Sequence, residues 1–137
     1  MSNTVAKKRP EYRNIHVTQI LSYRLPLAGK LSILHRVSGA ALFLALPIIL
    51  LPLFDKSLTS ELSFEEMKAW VANPLFKVIL LGLIWSYMHH FCAGIRYLVL
   101  DLHVGTDKYA AAKSAASVFA ASLTLTAIFG LKLFGVF

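Results

Sequence analysis

The sequence predicts an all-α membrane protein whose three transmembrane helices form part of a helical bundle. Of its 137 residues, 57% are hydrophobic, which is too apolar for an ordinary soluble domain. The apolar residues concentrate in three runs, at about 31–54, 75–100 and 110–134, and each run is long enough at ~1.5 Å per residue to cross a ~30 Å hydrocarbon core. Three helices cannot enclose a large cofactor on all sides, so we expect a partner subunit to complete the bundle.

The first run follows a basic segment, residues 1–30, which contains a single acid, Glu11. This segment lacks the apolar core of a signal peptide, because hydrophobicity begins only near Leu31. The helix is expected to start after Pro26, at about 29–32. Two prolines, Pro47 and Pro52, predict a distortion in its outer half.

The first connection, residues 55–73, contains Ser63 and Glu66 at the spacing of a capping box, which predicts a short surface helix. The pair Asn73-Pro74 then predicts the start of the second long helix, since proline is favoured in a first turn. In the third run, four small residues at helical spacing predict a face for close helix packing: Ala116, Ala120, Thr124 and Ala127.

Charge placement predicts the orientation in the membrane. The formal net charge is +7, and the basic residues lie at the N-terminus and beside the apolar runs. That distribution favours topology signals and contact with membrane lipid, and it argues against nucleic acid as a partner. Because the first connection is net acidic, we expect the N-terminus in the cytoplasm and the C-terminus in the periplasm of a bacterial inner membrane.

The second run contains residues that are expensive to bury in lipid: His89, His90 and Arg96. A cation at mid-bilayer costs roughly 2.5–3.5 kcal/mol, so such residues usually face a partner or a cofactor. One helical face of this run gathers polar and small residues: Ser86, His90, Gly94, Tyr97 and Asp101. We therefore expect Gly94 to leave a notch beside His90 for the edge of a haem, with His90 as the iron ligand.

Other roles for these residues stay open at this point. His90 could hydrogen-bond a neighbouring helix without any metal, or could act in a proton relay with Asp101. His89 points ~100° away from His90 on a helix, so one face cannot present both to one iron. His89 shares its face with Trp85 and Arg96, and the latter could simply extend to the lipid headgroups.

A second polar cluster, formed by Ser32, His35 and Arg36, lies at the inner end of the first run. Counted from the predicted inner ends of the helices, His90 lies roughly 15 Å deep and His35 only about 3–6 Å deep. A difference of ~10 Å, from the same helical rise, disfavours a shared iron, so we expect a second axial histidine from a partner subunit. His35 and Arg36 are better placed to bind the haem propionates, whose carboxylates match arginine geometry.

These motifs resemble a known family. Arg9-Pro10, YRLP at 23–26, SILHRVSG at 32–39 and H-x-x-x-GIR-x-x-x-x-D at 90–101 are similar to the cytochrome b anchor subunit of succinate dehydrogenase, respiratory complex II. The resemblance covers nearly the whole chain. Where some relatives have a histidine after GIR, this chain has Tyr97.

The resemblance implies a subunit of succinate:ubiquinone oxidoreductase that carries haem b between two anchor subunits. It implies His90 as the axial ligand from this chain, His35 and Arg36 as propionate contacts, and Ser32 with Arg36 as part of the ubiquinone site. The implied partners are a second haem-ligating anchor subunit, an iron–sulfur subunit and a flavoprotein subunit.

The chain itself is not expected to contain the dehydrogenase active site. It has no glycine motif for a flavin, and its single cysteine, Cys92, can neither hold an iron–sulfur cluster nor form an intrachain disulfide. Dicarboxylate oxidation must then occur in another subunit. The alternative is an intramembrane proton or ion relay, or a cofactor-free anchor, in another respiratory complex.

Overall fold

A computed structural model describes residues 16–137, and these residues form helices and turns without a β-strand. The first half of the predicted basic segment, residues 1–15, therefore lies outside the described residues. The elements in chain order are α1 (Val17–Ser22), α2 (Leu27–Ala45), a π-helical turn (Leu46–Leu50), α3 (Leu51–Thr59), α4 (Glu61–Ala72), α5 (Pro74–Asp101) and α6 (Lys108–Leu133). Three stretches are long and apolar enough to cross a membrane: Leu27–Thr59, Pro74–Asp101 and Lys108–Leu133. The prediction of three long apolar helices is confirmed.

The helix α2 begins earlier than its sequence pattern predicts. Pro26 has extended backbone angles (φ −63°, ψ 159°), and the helix starts at the next residue, Leu27. The two downstream prolines do not end the helical path. Instead, the chain continues through a π turn, in which the Leu51 N–H donates to the Leu46 carbonyl, five residues back, and not to the carbonyl of Pro47.

The short helix α4 follows α3 after one extended residue, Ser60. The predicted capping box of Ser63 with Glu66 is wrong by three residues, because Ser60 is the N-cap and Ser63 is its reciprocal partner. Glu66 instead forms an ion pair with Lys56 of α3, in which the lysine Nζ lies 2.6 Å from the carboxylate Oε2. Together with a hydrogen bond from the Ser63 hydroxyl to the Lys56 carbonyl (3.0 Å), this pair ties α4 to α3.

Side-chain caps define the starts of both later long helices. The Asn73 side chain accepts hydrogen bonds from the N–H groups of the first turn of α5, so the predicted start at Asn73-Pro74 is confirmed. Asp107 caps α6 in the same way. Between them the chain reverses through two residues with positive φ, His103 (59°) and Gly105 (72°), and the latter conformation favours glycine.

The helix α5 lies at the centre of the fold and packs against both α2 and α6. The core between the three helices is made of small and medium side chains: Leu31, Ala93, Ala115 and Val118. Small residues let helix backbones approach closely, which is the usual source of packing energy in a membrane. Large apolar side chains cover the outside, as expected for a surface in contact with lipid.

The small-residue face of α6 is not the face that packs within this chain, and its predicted role in helix contact stays a prediction. Ala116, Ala120, Thr124 and Ala127 are all exposed. The helix packs instead through a neighbouring face that contains Ala115, Val118, Ser122 and Gly130. Spacing alone identified a face of small residues, but it could not show which side of the helix turns toward α5.

Candidate functional site

The imidazole of His90 projects from α5 toward α2. Its Nδ1 lies 3.0 Å from the main-chain oxygen of His35, and because a carbonyl can only accept, the Nδ1–H donates. Ser38 of α2 donates its hydroxyl to the same oxygen at 2.9 Å and lies 3.4 Å from the Nδ1 atom. With its proton on Nδ1, the neutral ring presents the lone pair of Nε2, which is the arrangement that metal-binding histidines use.

The ring of His35 lies directly against that of His90. The two rings are stacked with centroids 4.1 Å apart and planes 13° from parallel, and the Tyr97 ring packs on His35 at 5.0 Å. The Nε2 atom of His35 is buried and has no hydrogen-bond partner among the described residues. A buried imidazole nitrogen of this kind can hydrogen-bond a group from outside the chain.

The stacked rings overturn the predicted depth difference of ~10 Å between His35 and His90. Because α2 starts at Leu27 and α5 extends to Asp101, His35 lies ~12 Å from its helix end and His90 ~17 Å from its own, by the helical rise. Two glycines show how the helices are aligned, since each lies opposite a histidine of the other helix. A Cβ on Gly39 of α2 would lie 2.8 Å from the His90 ring, and a Cβ on Gly94 of α5 would lie 3.9 Å from His35 Nε2. The two histidines are therefore about one helical turn, ~5.4 Å, out of step along the antiparallel pair.

This geometry still does not make an axial pair from His35 and His90. Two ligands on opposite faces of one iron would point their nitrogens at each other across ~4 Å, with each Fe–N bond at ~2 Å. Stacked rings present their faces to each other instead. The second ligand from a partner subunit therefore stays a prediction.

The notch predicted at Gly94 is largely open in the structure, since a Cβ there would meet a single atom of the described residues within 4 Å. It lies beside His35 of the neighbouring helix. Among the described residues, the Nε2 of His35 is the only atom outside the local helix that would lie within 4 Å of a Cβ at position 94. The sequence identified the small residue correctly but could not show that the notch faces the His35 ring of α2.

The two predicted quinone ligands, Ser32 and Arg36, lie one turn apart on α2. Ser32 is half-buried and Arg36 is exposed. Neither side chain makes a hydrogen bond or ion pair with another side chain in the described range 16–137. Ser32 lies one turn before His35 and Arg36 directly follows it, so both groups are placed beside the stacked histidines, where a molecule from outside the chain can reach them.

His89 faces the other side of α5, as its predicted angle from His90 requires. It is fully buried, stacks on Trp85 at 5.4 Å, and packs on Phe119 of α6 at 5.4 Å. Its Nδ1 atom lies 3.5 Å from the Ser122 hydroxyl, and its Nε2 atom has no partner among the described residues. His89 is therefore a core residue between the helices, on a different face from the His90 cluster.

Arg96 does not extend to the headgroups as a surface cation. Only 8% of the residue is exposed, and its Nε donates to the Ser114 hydroxyl at 2.9 Å. The same guanidinium donates through Nη2 to the Ala111 carbonyl at 3.2 Å. Arg96 therefore links the C-terminal part of α5 to the N-terminal part of α6, and no carboxylate pairs with it in the part of the chain that the structure describes.

The donor set fits a haem better than a metal ion bound by protein alone. Within residues 16–137, no group of three or more His, Cys, Asp or Glu side chains lies close enough together to hold a metal ion. A haem needs fewer protein ligands, because the porphyrin supplies four nitrogen ligands and the chain needs to supply a single imidazole. His90 meets that requirement, because its Nδ1–H donates to the His35 carbonyl and its Nε2 is available. The unpartnered Nε2 of His35 can donate a hydrogen bond to a carboxylate of the haem.

Comparison with known proteins identifies the family. Residues 7–129 match the family described as the succinate dehydrogenase/fumarate reductase transmembrane subunit. The chain belongs to this family. The prediction made from the SILHRVSG and GIR motifs is confirmed, and the chain is a membrane subunit of a complex of that type.

Individual relatives agree with this assignment. The chain is 36% identical to the succinate dehydrogenase cytochrome b556 subunit of Paracoccus denitrificans, over 84% of this chain and 87% of the relative. It is 30% identical to the subunits of the same name from Rickettsia felis, over 74% of this chain and 73% of the relative, and Coxiella burnetii, over 69% and 72%.

The sequence did not reveal the roles of Ser38 and Gly39 in this cluster. Both residues contact the ring of His90 across the helix interface. A signal was available, since Gly39 lies one turn beyond His35 on the same helix face, and small residues mark places where helices approach closely.

Proposed function

We propose that this chain is the cytochrome b anchor of a succinate:ubiquinone oxidoreductase and that it binds haem b through His90, jointly with a second anchor subunit. The hydrogen bond from His90 Nδ1 to the His35 carbonyl carries this proposal, because it leaves the Nε2 lone pair for iron. When bound, haem b supplies a one-electron carrier inside the membrane.

The other residues of the cluster have distinct roles in this proposal. His35 donates from its Nε2 to a propionate, and Arg36 pairs with a propionate through its forked N–H groups. Ser32 and Arg36 bind ubiquinone by donating hydrogen bonds to its carbonyl oxygens. Such donors stabilise the negative charge that develops on those oxygens as electrons arrive, before protons are taken up.

The proposal also orients the chain and names its partners. The basic segment 1–30 lies at the cytoplasmic face of a bacterial inner membrane, together with the start of α2 and the end of α5. The iron–sulfur subunit docks at this face and delivers electrons to the quinone beside Ser32, while the flavoprotein subunit oxidises succinate. Lipid contacts the apolar exterior.

The orientation is tested by fusing, after Phe137, a reporter enzyme that is active only in the periplasm. The fusion should be active, and an inactive fusion would contradict a periplasmic C-terminus.

The ligand assignment is tested by substituting His90 in the purified complex. His90→Leu should lose haem, or retain it with a change from a low-spin to a high-spin spectrum, since one axial ligand is missing. The measurements are the haem-to-flavin ratio and the visible spectrum. His103→Asn is the matched control, because His103 is exposed and has a positive φ that asparagine tolerates.

Two outcomes would refute the haem proposal. A native complex without any b-type absorbance would favour the cofactor-free anchor. A low-spin spectrum that survives in His90→Leu but not in a His89→Leu variant would show that the ligand is His89 and not His90.

The quinone site is tested with Ser32→Ala and Arg36→Leu. Each variant should slow ubiquinone reduction by about 10²-fold, the typical effect of removing one donor to a developing negative charge. Succinate oxidation by an artificial dye should stay near the wild-type rate, because the flavoprotein is unchanged. Ser117→Ala, an exposed serine of α6, is the control. Equal loss of both activities would indicate failed assembly and would contradict a specific role in quinone binding.

A further inference from the structure

The ring of His90 leaves no room for a side chain at Gly39 of α2. A Cβ built on Gly39 would lie 2.8 Å from Cε1 of His90 and 3.2 Å from its Nδ1. The first distance is shorter than real Cβ atoms adopt, so a side chain here would force the imidazole to move. No other glycine of residues 16–137 is in such contact with a histidine.

The position of Gly39 in the helix explains why this contact matters. In an α-helix the carbonyl of residue i points toward residue i+4, so the His35 carbonyl points toward Gly39. A side chain at position 39 would lie beside that oxygen and shield it from the neighbouring helix. The missing Cβ leaves the oxygen open to the neighbouring helix, and the Nδ1–H of His90 donates to it at 3.0 Å, beside the hydroxyl of Ser38.

We infer that Gly39 is a positioning residue for the haem: it opens the His35 carbonyl to His90 and thereby fixes the rotamer, tautomer and donor strength of the axial imidazole. This inference rests on the proposed function, in which His90 binds the iron. It adds a determinant of the haem's reduction potential that lies on a different helix from the ligand.

The hydrogen bond has a predictable electronic effect. An imidazole whose Nδ1–H donates to a carbonyl gains electron density and becomes a stronger donor through Nε2. A stronger donor stabilises the oxidised iron more than the reduced iron. Weakening this hydrogen bond should therefore make the reduction potential of the haem more positive.

Two other glycines provide controls for Gly39→Ala. In Gly130→Ala the new Cβ would lie 2.9 Å from Leu81 Cδ1, a steric conflict of similar size between α5 and α6 that does not touch His90. In Gly82→Ala the new Cβ would meet nothing within 4 Å. The three variants add the same methyl group to long helices, but only one of them places it against the axial imidazole.

The experiment is a redox titration and a low-temperature EPR spectrum of the purified complex, alongside its haem-to-flavin ratio. Gly39→Ala should shift the haem potential to a more positive value and change the low-spin g values, or lose haem from an otherwise assembled complex. Gly130→Ala and Gly82→Ala should match the wild type. A wild-type potential and EPR spectrum in Gly39→Ala would overturn the inference.

A second pair of variants tests the same inference without adding volume. Ser38 donates to the His35 carbonyl that His90 uses, whereas Ser122 donates to the Phe119 carbonyl beside His89. Ser38→Ala should shift the haem potential, because it changes the sharing of that carbonyl, and Ser122→Ala should not. If Gly39→Ala fails to assemble, the comparison of Ser38→Ala with Ser122→Ala replaces it, and equal haem reduction potentials in these two variants would overturn the inference. A wild-type complex without haem would instead refute the proposed function. Failure of the inference can thus be distinguished from failure of the proposed function.

Discussion

The hydrogen bond between Arg96 and Ser114 provides a quantitative test of how α5 packs on α6. The guanidinium is almost fully buried, and the Ser114 hydroxyl accepts from its Nε at 2.9 Å. In Ser114→Ala, this buried charged donor loses its acceptor, and only the bond to the Ala111 carbonyl is left. The change removes few packing atoms, so the loss of the hydrogen bond should dominate the result.

The expected cost is about 1 kcal/mol. Leaving a buried donor unsatisfied costs about 1–3 kcal/mol in soluble proteins, and more when the donor is charged. Inside a membrane the measured hydrogen-bond values are smaller, ~0.6 kcal/mol on average and ~1.7 at most, because the unfolded state also finds partners. The charge favours the upper half of this range. A value of ~1 kcal/mol corresponds to about a fivefold change in the unfolding constant.

Trp85 reports on this packing, because its ring stacks on His89 between the helices. The chain would be unfolded in mixed detergent micelles and followed by tryptophan fluorescence, with Trp70→Phe as the background so that one tryptophan remains. Reversibility is checked by refolding. Ser117→Ala is the matched control, since Ser117 lies one turn away on α6, is exposed, and bonds only a carbonyl of its own helix.

A double-mutant cycle isolates the interaction. With Arg96→Met in the background, Ser114→Ala should cost much less, because no charged donor is left without an acceptor. If Ser114→Ala costs the same with and without Arg96, or costs no more than Ser117→Ala, then the guanidinium is not held by Ser114. The placement of Arg96 between α5 and α6 would then be refuted.

Three further predictions concern the scaffold around the site. Asn73→Ala should lower the free energy of unfolding by ~1 kcal/mol, because two first-turn N–H groups of α5 lose their cap, and Asn73→Asp should restore it. Gly130→Ala should change the free energy of unfolding by less than ~1 kcal/mol, because the helix propensity that alanine gains offsets the conflict of its Cβ with the flexible end of Leu81, and Leu81→Ala should remove any remaining cost in the double variant. Glu66→Gln should change stability by less than ~1 kcal/mol, with the difference disappearing at high salt, because Glu66 is exposed and Lys56 is only partly buried, so water and salt screen their ion pair. Unchanged stability in Asn73→Ala would contradict the cap of α5. A cost of Gly130→Ala that persists in the double variant with Leu81→Ala would contradict the contact with Leu81. A larger, salt-independent effect of Glu66→Gln would contradict the screened ion pair with Lys56.

Most of the secondary structure could be predicted because it depends on properties that are local in the chain. A run of apolar residues gives a helix long enough for a membrane whatever its neighbours are, and Asn73-Pro74 marks a helix start by its own chemistry. Angles around a single helix are equally local. The separation of His89 from His90 onto different faces of α5 therefore follows from the sequence.

The relation between helices could not be predicted in the same way. A four-residue error at the start of α2 is ~6 Å along its axis, which was enough to raise the predicted depth difference between His35 and His90 to ~10 Å, although the two residues lie about one turn apart and their rings stack. The direction in which each face turns was also undetermined: small residues on α6 proved to be exposed, and Arg96 proved to be buried. Rotation and register are set by which side chains fit together across an interface.

The sequence by itself determined three apolar helices, the family, and the histidine on α5 whose face carries small and polar residues. The tertiary structure alone decided that the main chain of α2 accepts the Nδ1 proton of that histidine, and that a glycine makes this possible. The physical reason is that a hydrogen bond between two helices depends on their relative depth and rotation. Neither quantity is encoded in the periodicity of one helix, since both arise from packing between helices.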